Sequence, residues 1–60
     1  MSEVYKIMMF DSSGRQRKKK FYESKKTFDK GWMLARIYYI NCIGYKYVID
    51  DWVKIKEVNK

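Results

Sequence analysis

Few side chains in this sequence could carry out chemistry. There is one thiol, Cys42, one adjacent pair of carboxylates, Asp50 and Asp51, and no histidine. Histidine is the usual general base and a common zinc ligand. Cys42 falls in an apolar stripe, where a thiol is usually inert, and neighbouring strand positions point to opposite faces of a sheet. The sequence therefore predicts a protein that is not an enzyme and that binds no metal and no cofactor.

The basic run Arg15-Gln16-Arg17-Lys18-Lys19-Lys20 is the most informative feature of the chain. It follows the turn residues 12–14 and leads directly into Phe21. The whole chain carries 14 basic and 7 acidic residues, a net charge of +7. Cationic side chains grouped at a bend favour a polyanion, and nucleic acid, either DNA or RNA, is the first expectation. A solvated turn that only keeps the protein soluble is the alternative.

The pattern of apolar residues predicts one α+β domain covering residues 1–60. Alternation predicts strands over 3–11, 17–23, 45–50 and 52–58. Apolar residues at steps of three and four predict a helix over 28–43. The result is a ββαββ unit, with an antiparallel sheet of three or four strands and one helix on one face. Residues 45–58 are interpreted as a hairpin that turns at Asp50-Asp51, and one long bent strand is the alternative.

The predicted helix begins at Thr27 as N-cap and ends at Gly44. Its core stripe is predicted to consist of Phe28, Trp32, Ala35, Tyr39 and Cys42. The sheet side that meets this stripe is predicted to carry Tyr5, Ile7, Met9, Phe21, Tyr45, Tyr47, Ile49, Val53 and Ile55. The other side of the sheet is then predicted to carry Lys6, Lys18, Lys20, Tyr22, Lys46, Trp52, Lys54 and Lys56.

A lysine-rich sheet face with interleaved aromatic rings suits nucleic acid, because lysines meet phosphates and rings stack on bases. An ordinary solvated face of an antiparallel sheet explains the same residues equally well. The predicted nucleic-acid contacts are Arg15, Arg17, Lys18, Lys19, Lys20, Tyr22, Lys46, Trp52, Lys54 and Lys56.

A second apolar side of the helix is left over, with Met33, Leu34, Ile37 and Ile40. A helix that is apolar nearly all round is usually buried on two sides. These residues are therefore predicted to form a homodimer or partner interface, the alternative being a slightly different rotation of the helix.

The first functional hypothesis is a small nucleic-acid-binding accessory or regulatory protein. The second is a phage-type protein-interaction module that inhibits or modulates a host protein, such as a nuclease or polymerase, and that acts as a homodimer or on that partner. A homodimeric part of a larger assembly is a third. The single cysteine favours the cytoplasm, and no apolar stretch is long enough to span a membrane, so no membrane partner is expected.

A basic sheet backed by one helix is similar to the arm-type DNA-binding domains of phage and transposon integrases. Strands follow the helix here, and no diagnostic motif matches, so the similarity is architectural and assigns no residue a role.

Overall fold

Four antiparallel strands and one helix make up the fold. The computed structural model describes residues 3–59. The elements are β1 (Tyr5–Phe10), β2 (Gln16–Tyr22), α1 (Lys25–Tyr38), β3 (Asn41–Val48) and β4 (Asp51–Asn59). The strands form one sheet in the order β2-β1-β3-β4, and each neighbouring pair is antiparallel. The ββαββ fold predicted from the sequence is therefore confirmed, with four strands in the sheet.

Strand β1 lies inside the sheet and supplies the centre of the core. Tyr5, Ile7 and Met9 are buried, while the residues between them are half-buried. Alternate residues of a strand point to opposite faces, so these three side chains meet the helix together. β1 pairs with β2 along one edge and with β3 along the other, so its backbone lies inside the sheet.

The first hairpin is closed by the side chain of Asp11. Its Oδ1 accepts hydrogen bonds from the backbone N–H groups of Ser13 (2.9 Å) and Arg15 (3.1 Å). Gly14 has a φ of +86°, a conformation that glycine adopts without steric cost. The predicted hairpin between the first two strands is confirmed, and its turn is held by local hydrogen bonds.

The second hairpin turns at Ile49-Asp50, one residue earlier than predicted. Both residues have positive φ, 45° and 60°, as the two-residue turn of type I′ requires. Val48 pairs with Asp51 on either side of the turn. The two-strand interpretation of this region is therefore confirmed. Ile49 is 92% exposed, so a β-branched side chain occupies a left-handed position without any packing to compensate.

The helix is displaced toward the N-terminus from its predicted position. Ser24, and not Thr27, is the N-cap, because its Oγ accepts a hydrogen bond from the backbone N–H of Thr27 at 3.2 Å. The helix ends at Tyr38, since Tyr39 has extended backbone angles. The prediction that the helix continues to residue 43 is wrong. The chain from Asn41 onward pairs with β1 instead.

The core lies between α1 and the face of the sheet that carries the alternate residues of β1. Phe28, Trp32 and Ala35 are buried on the helix, as predicted. Cys42 is fully buried, but it belongs to β3, where its Sγ donates a hydrogen bond to the carbonyl oxygen of Ala35 at 3.3 Å. Gly44 was predicted to stop the helix; it too lies in β3, buried beneath Phe28. Within residues 3–59, no helix has the length and apolar character needed to cross a bilayer.

The predicted facing of β2 and β3 is wrong, whereas Trp52 and Lys54 of β4 lie on the face away from the helix, as predicted. Tyr22 pairs with Tyr5 and therefore faces the helix, which places Phe21 on the opposite face. Gly44 faces the helix in β3, which likewise sends Tyr45 and Tyr47 to the opposite face. Three further residues predicted for the core are substantially exposed: Ile49, Val53 and Ile55.

Candidate nucleic-acid interface

The face of the sheet opposite α1, called here the open face, has no element packed over it among the described residues. Its composition follows from the strand register. One transverse row joins Phe21, Lys6, Tyr45 and Lys54 across all four strands. A second row joins Lys19, Met8, Ile43 and Glu57, and Tyr47 pairs with Trp52 beyond the first row.

Four rings on the open face form an aromatic cluster, which comprises Phe21, Tyr45, Tyr47 and Trp52. The ring centroids of Phe21 and Trp52 lie 6.0 Å apart at an angle of 46°. Tyr47 meets Trp52 edge to face at 5.1 Å. Phe21 remains 58% exposed and Tyr47 43% exposed. The cluster therefore combines ring–ring contacts with apolar surface that is open to solvent.

Lys6 lies at the centre of the aromatic cluster. Its Nζ is 4.8 Å from the ring centroid of Tyr45 and 4.4 Å from that of Trp52. Cation–π contacts of this kind hold an ammonium group over apolar surface without neutralising its charge. The arrangement therefore presents a positive charge among aromatic rings.

Two more lysines border the cluster. Lys19 Nζ lies 5.6 Å from the ring centroid of Phe21. Lys54 Nζ is 3.0 Å from Glu57 Oε1, and this contact holds the pKa of Glu57 below its usual value. Glu57 partly offsets the charge of Lys54, whereas no ion pair joins Lys6 or Lys19 to a carboxylate of residues 3–59.

The tip of the first hairpin is a separate basic site. Arg17 Nε lies 4.0 Å from Asp11 Oδ2. The pKa of Asp11 is lowered, first by the hydrogen bond from the Ser13 hydroxyl and then by backbone N–H groups. Asp11 therefore stays ionised and offsets part of the charge of Arg17. Arg15 makes no ion pair with any carboxylate of residues 3–59.

The structure divides the ten predicted nucleic-acid contacts among three places. Lys19, Trp52 and Lys54 lie on the open face, and Arg15 and Arg17 lie at the tip. The remaining five were predicted to share one face of the sheet with Trp52, and that prediction is wrong. The strand register places them on the helix side: Lys18, Lys20, Tyr22, Lys46 and Lys56.

The helix-side lysines of β3 and β4 make contacts that account for their positions. Lys46 Nζ is 3.4 Å from Glu3 Oε1, and Lys56 Nζ is 3.5 Å from Asp29 Oδ1. Glu3 also accepts a hydrogen bond from the Tyr5 hydroxyl, and this bond, helped by burial, raises the pKa of Tyr5 to about 12. These groups link strand ends and helix to one another.

Tyr22 contributes to the core and not to the open face. Its ring meets Phe28 edge to face at 6.1 Å, and burial raises the pKa of its hydroxyl. A Cβ atom at Gly31 would lie 2.5 Å from Tyr22 Cζ, so the absence of a side chain at Gly31 admits the ring. Tyr22 is therefore unavailable as a base-stacking platform on the open face.

Sequence reasoning missed three rings of the cluster, Phe21, Tyr45 and Tyr47, because it assigned them to the core. Lys6 was placed on the correct side but was not named among the contacts. Phe21-Tyr22 offers an aromatic ring for either face, so the alternation of β2 cannot fix which ring is buried. A usable signal lay in Cys42 and Gly44: two small residues two apart in a strand leave room for a helix above them.

No family model, no curated protein and no solved structure matches this chain.

Proposed function

We propose that this protein is a small nucleic-acid-binding accessory or regulatory protein that acts in the cytoplasm by binding and not by catalysis. The observation that carries the proposal is the aromatic cluster around Lys6 on a sheet face left open by the helix. The cytoplasmic setting is supported by the free thiol of Cys42.

The geometry favours a single strand over a duplex as the ligand of the open face. Rings standing on a sheet stack only on bases whose faces are exposed, and paired bases in a duplex are already stacked on one another. Each base stacked on an aromatic ring contributes about 1–3 kcal/mol. Phe21 and Trp52 are the rings proposed to stack, while Lys6 and Lys19 meet the phosphates.

The basic tip would contact the same strand farther along. Arg15 immediately precedes β2 and lies six residues before Phe21, which is at most about 20 Å at 3.3 Å per residue. Arg15 therefore cannot contact the nucleotide whose base stacks on Phe21. Arg15 and Arg17 are proposed to add phosphate contacts that hold any sequence equally, because phosphates carry no sequence information.

The decisive experiment compares two double variants that lose the same charge from opposite sides of the protein. Lys6→Gln with Lys19→Gln removes the two charges of the open face that are proposed to meet phosphates, and Lys26→Gln with Lys30→Gln removes two from the outer surface of α1. We expect the first pair to weaken binding of a labelled single strand and to lower the slope of log K against log salt by about 1.4. The second pair should leave that slope nearly unchanged. Equal losses of single-strand affinity in the two double variants would refute a site on the open face.

The contribution of stacking is measured separately. Trp52→Ala should weaken single-strand binding about tenfold and duplex binding much less, since only the single strand offers free base faces. Arg15→Ala with Arg17→Ala should weaken both forms by similar factors. If the native protein binds neither form at low salt, the tip is a solvated turn and the proposal fails.

A protein-interaction role is the second candidate function, and one observation favours it. Met33 and Ile37 are exposed on the outer side of α1 by 65% and 72%, and Leu34 beside them by 55%. Ile40, predicted to belong with them, lies beyond the helix end and is half-buried. Sedimentation at increasing protein concentration tests the homodimer. If the protein stays monomeric at every concentration, the exposed residues of α1 would have to bind a different protein.

A further inference from the structure

A groove runs between α1 and β2 on the helix side of the sheet. It has a volume of about 470 Å³. Met9, Ala35 and Tyr22 contribute to its lining from the core, and Leu34 and Tyr38 contribute from the exposed side of the helix. The groove is therefore largely apolar and open to solvent.

Lysines border this groove and the helix surface beside it. Lys18 and Lys20 line the groove from β2, and both are exposed. Lys26 and Lys30 are exposed on α1, where Lys30 precedes Leu34 by one turn. Within residues 3–59, no ion pair joins any of these four ammonium groups to a carboxylate.

The acidic residue of α1 does not offset this charge. Asp29 contacts Lys25 at 3.6 Å and Lys56 at 3.5 Å, and Lys56 belongs to β4, on the other side of the helix from β2. The surface formed by α1 and β2 thus joins an apolar groove to four ammonium groups that form no ion pair with a carboxylate of residues 3–59.

The charge and shape of this surface indicate its occupant. A second copy of the chain would bring the same lysines together in a two-fold contact, and each copy carries a net charge of +7. A bilayer surface is broad and would leave a concave groove unfilled. A segment with carboxylates beside one or two large apolar side chains would pair with the lysines and also fill the apolar groove.

We propose that the groove between α1 and β2 is the docking site for an acidic amphipathic segment of a partner protein. An apolar side chain of the partner enters between Leu34 and Tyr38, and its carboxylates meet Lys18 and Lys20. This site lies on the opposite side of the sheet from the aromatic cluster, so it does not depend on the proposed nucleic-acid site. The protein would then bind two partners of different chemistry at the same time.

The test uses three labelled synthetic peptides, each as long as α1. The first carries leucines at helical spacing i, i+3, i+4 and i+7 with glutamates on its exposed side. The second replaces the glutamates by lysines, and the third replaces the leucines by serines. We expect measurable binding of the first alone, because both the apolar groove and the lysines must be satisfied. Equal binding of the serine peptide would mean unspecific charge attraction and would overturn the proposal.

Two variants locate the peptide on the protein. Leu34→Ser should weaken binding about tenfold or more, and Lys18→Gln with Lys20→Gln should weaken it about three- to tenfold. All these side chains are exposed, so circular dichroism should show an unchanged fold. Lys19→Gln with Lys54→Gln, the matched control on the open face, should keep the affinity for the peptide. If that control loses as much as Lys18→Gln with Lys20→Gln, the groove is not the site.

The two alternative occupants, an anionic membrane and a second copy of the chain, are tested separately. Vesicles of phosphatidylglycerol, with phosphatidylcholine vesicles as control, measure attraction to an anionic membrane. Sedimentation of native protein and of Leu34→Ser measures self-association. Stronger retention on phosphatidylglycerol than on the acidic leucine peptide, or a dimer that Leu34→Ser dissociates, would overturn the proposal. Neither result bears on whether the open face binds nucleic acid.

Discussion

Replacing Gly44 by alanine tests the position of the helix over the sheet. A Cβ atom at residue 44 would lie 2.8 Å from Phe28 Cζ and 3.3 Å from both Phe28 Cε1 and Trp32 Cζ3. A carbon contact of 2.8 Å is well inside the ordinary separation of about 3.5–4.0 Å. Something in the core must therefore move.

The surrounding rings leave little room for that movement. Phe28 is 1% exposed, and its ring lies 4.9 Å from the ring of Tyr5 and 6.3 Å from that of Trp32. Overpacking of a close-packed core costs about 1–3 kcal/mol. Alanine recovers about 0.5–1 kcal/mol, because glycine is unfavourable inside a strand. With central values of about 2 kcal/mol for the cost and about 0.75 kcal/mol for the gain, we expect a net loss of about 1–1.5 kcal/mol in the free energy of unfolding.

Urea unfolding followed by circular dichroism measures this loss, and the melting temperature should fall by about 5–15 °C. The control is the same substitution in a Phe28→Leu background, where the crowding ring is absent. There the alanine should be neutral or stabilising, so the two substitutions should show a coupling energy. If Gly44→Ala leaves the native protein as stable as before, Gly44 does not lie under Phe28.

Three further predictions concern other parts of the chain. Ile49→Asn should raise the free energy of unfolding by about 1 kcal/mol, because asparagine tolerates a positive φ that a β-branched residue does not; an unchanged urea midpoint would contradict the turn geometry. Cys42 should react with a thiol reagent far more slowly in native protein than in denaturant, and equal rates would mean that the thiol is exposed. The pKa values of Glu3, Glu57 and Asp11 are all lowered in the folded protein by hydrogen bonds and cations. The unfolded chain therefore binds more protons, and urea midpoints should decrease as the pH falls below about 4.5; midpoints that stay constant down to about pH 3 would contradict these contacts.

Local sequence signals were sufficient for the elements that depend on neighbouring residues. Asp11 to Gly14 has the chemistry of a turn, and the structure places a hairpin there. Phe28, Trp32 and Ala35 have helical spacing, and all three are buried against the sheet. The concentration of lysine and arginine after Gly14 is also a property of the sequence alone, and it motivates both the tip and the open face as candidate sites.

The end of the helix required information from distant residues. The spacing of Ala35, Tyr39 and Cys42 continues the helical pattern without interruption. The same stretch also satisfies the alternation of a strand, with Cys42 and Gly44 on one face. Pairing with β1 decides between the two patterns, because Ile7 lies opposite Gly44 and Met9 opposite Cys42. A contact between residues so far apart in the chain is not encoded in any local window.

The facing of the strands was decided by the tertiary structure as well. A shift of one residue moves every side chain of a strand to the other face. Phe21 and Tyr22 are adjacent and both aromatic, so the sequence of β2 is compatible with either orientation of the strand. Because the register shifts between Met9 and Phe10, the facing of β2 also cannot be derived by counting residues from β1 through the turn. The sequence alone determined that aromatic rings and lysines alternate along these strands. Only the packing of α1 on Cys42 and Gly44 decided that Phe21, Tyr45 and Tyr47 remain outside, because the helix can approach the sheet closely only above small residues.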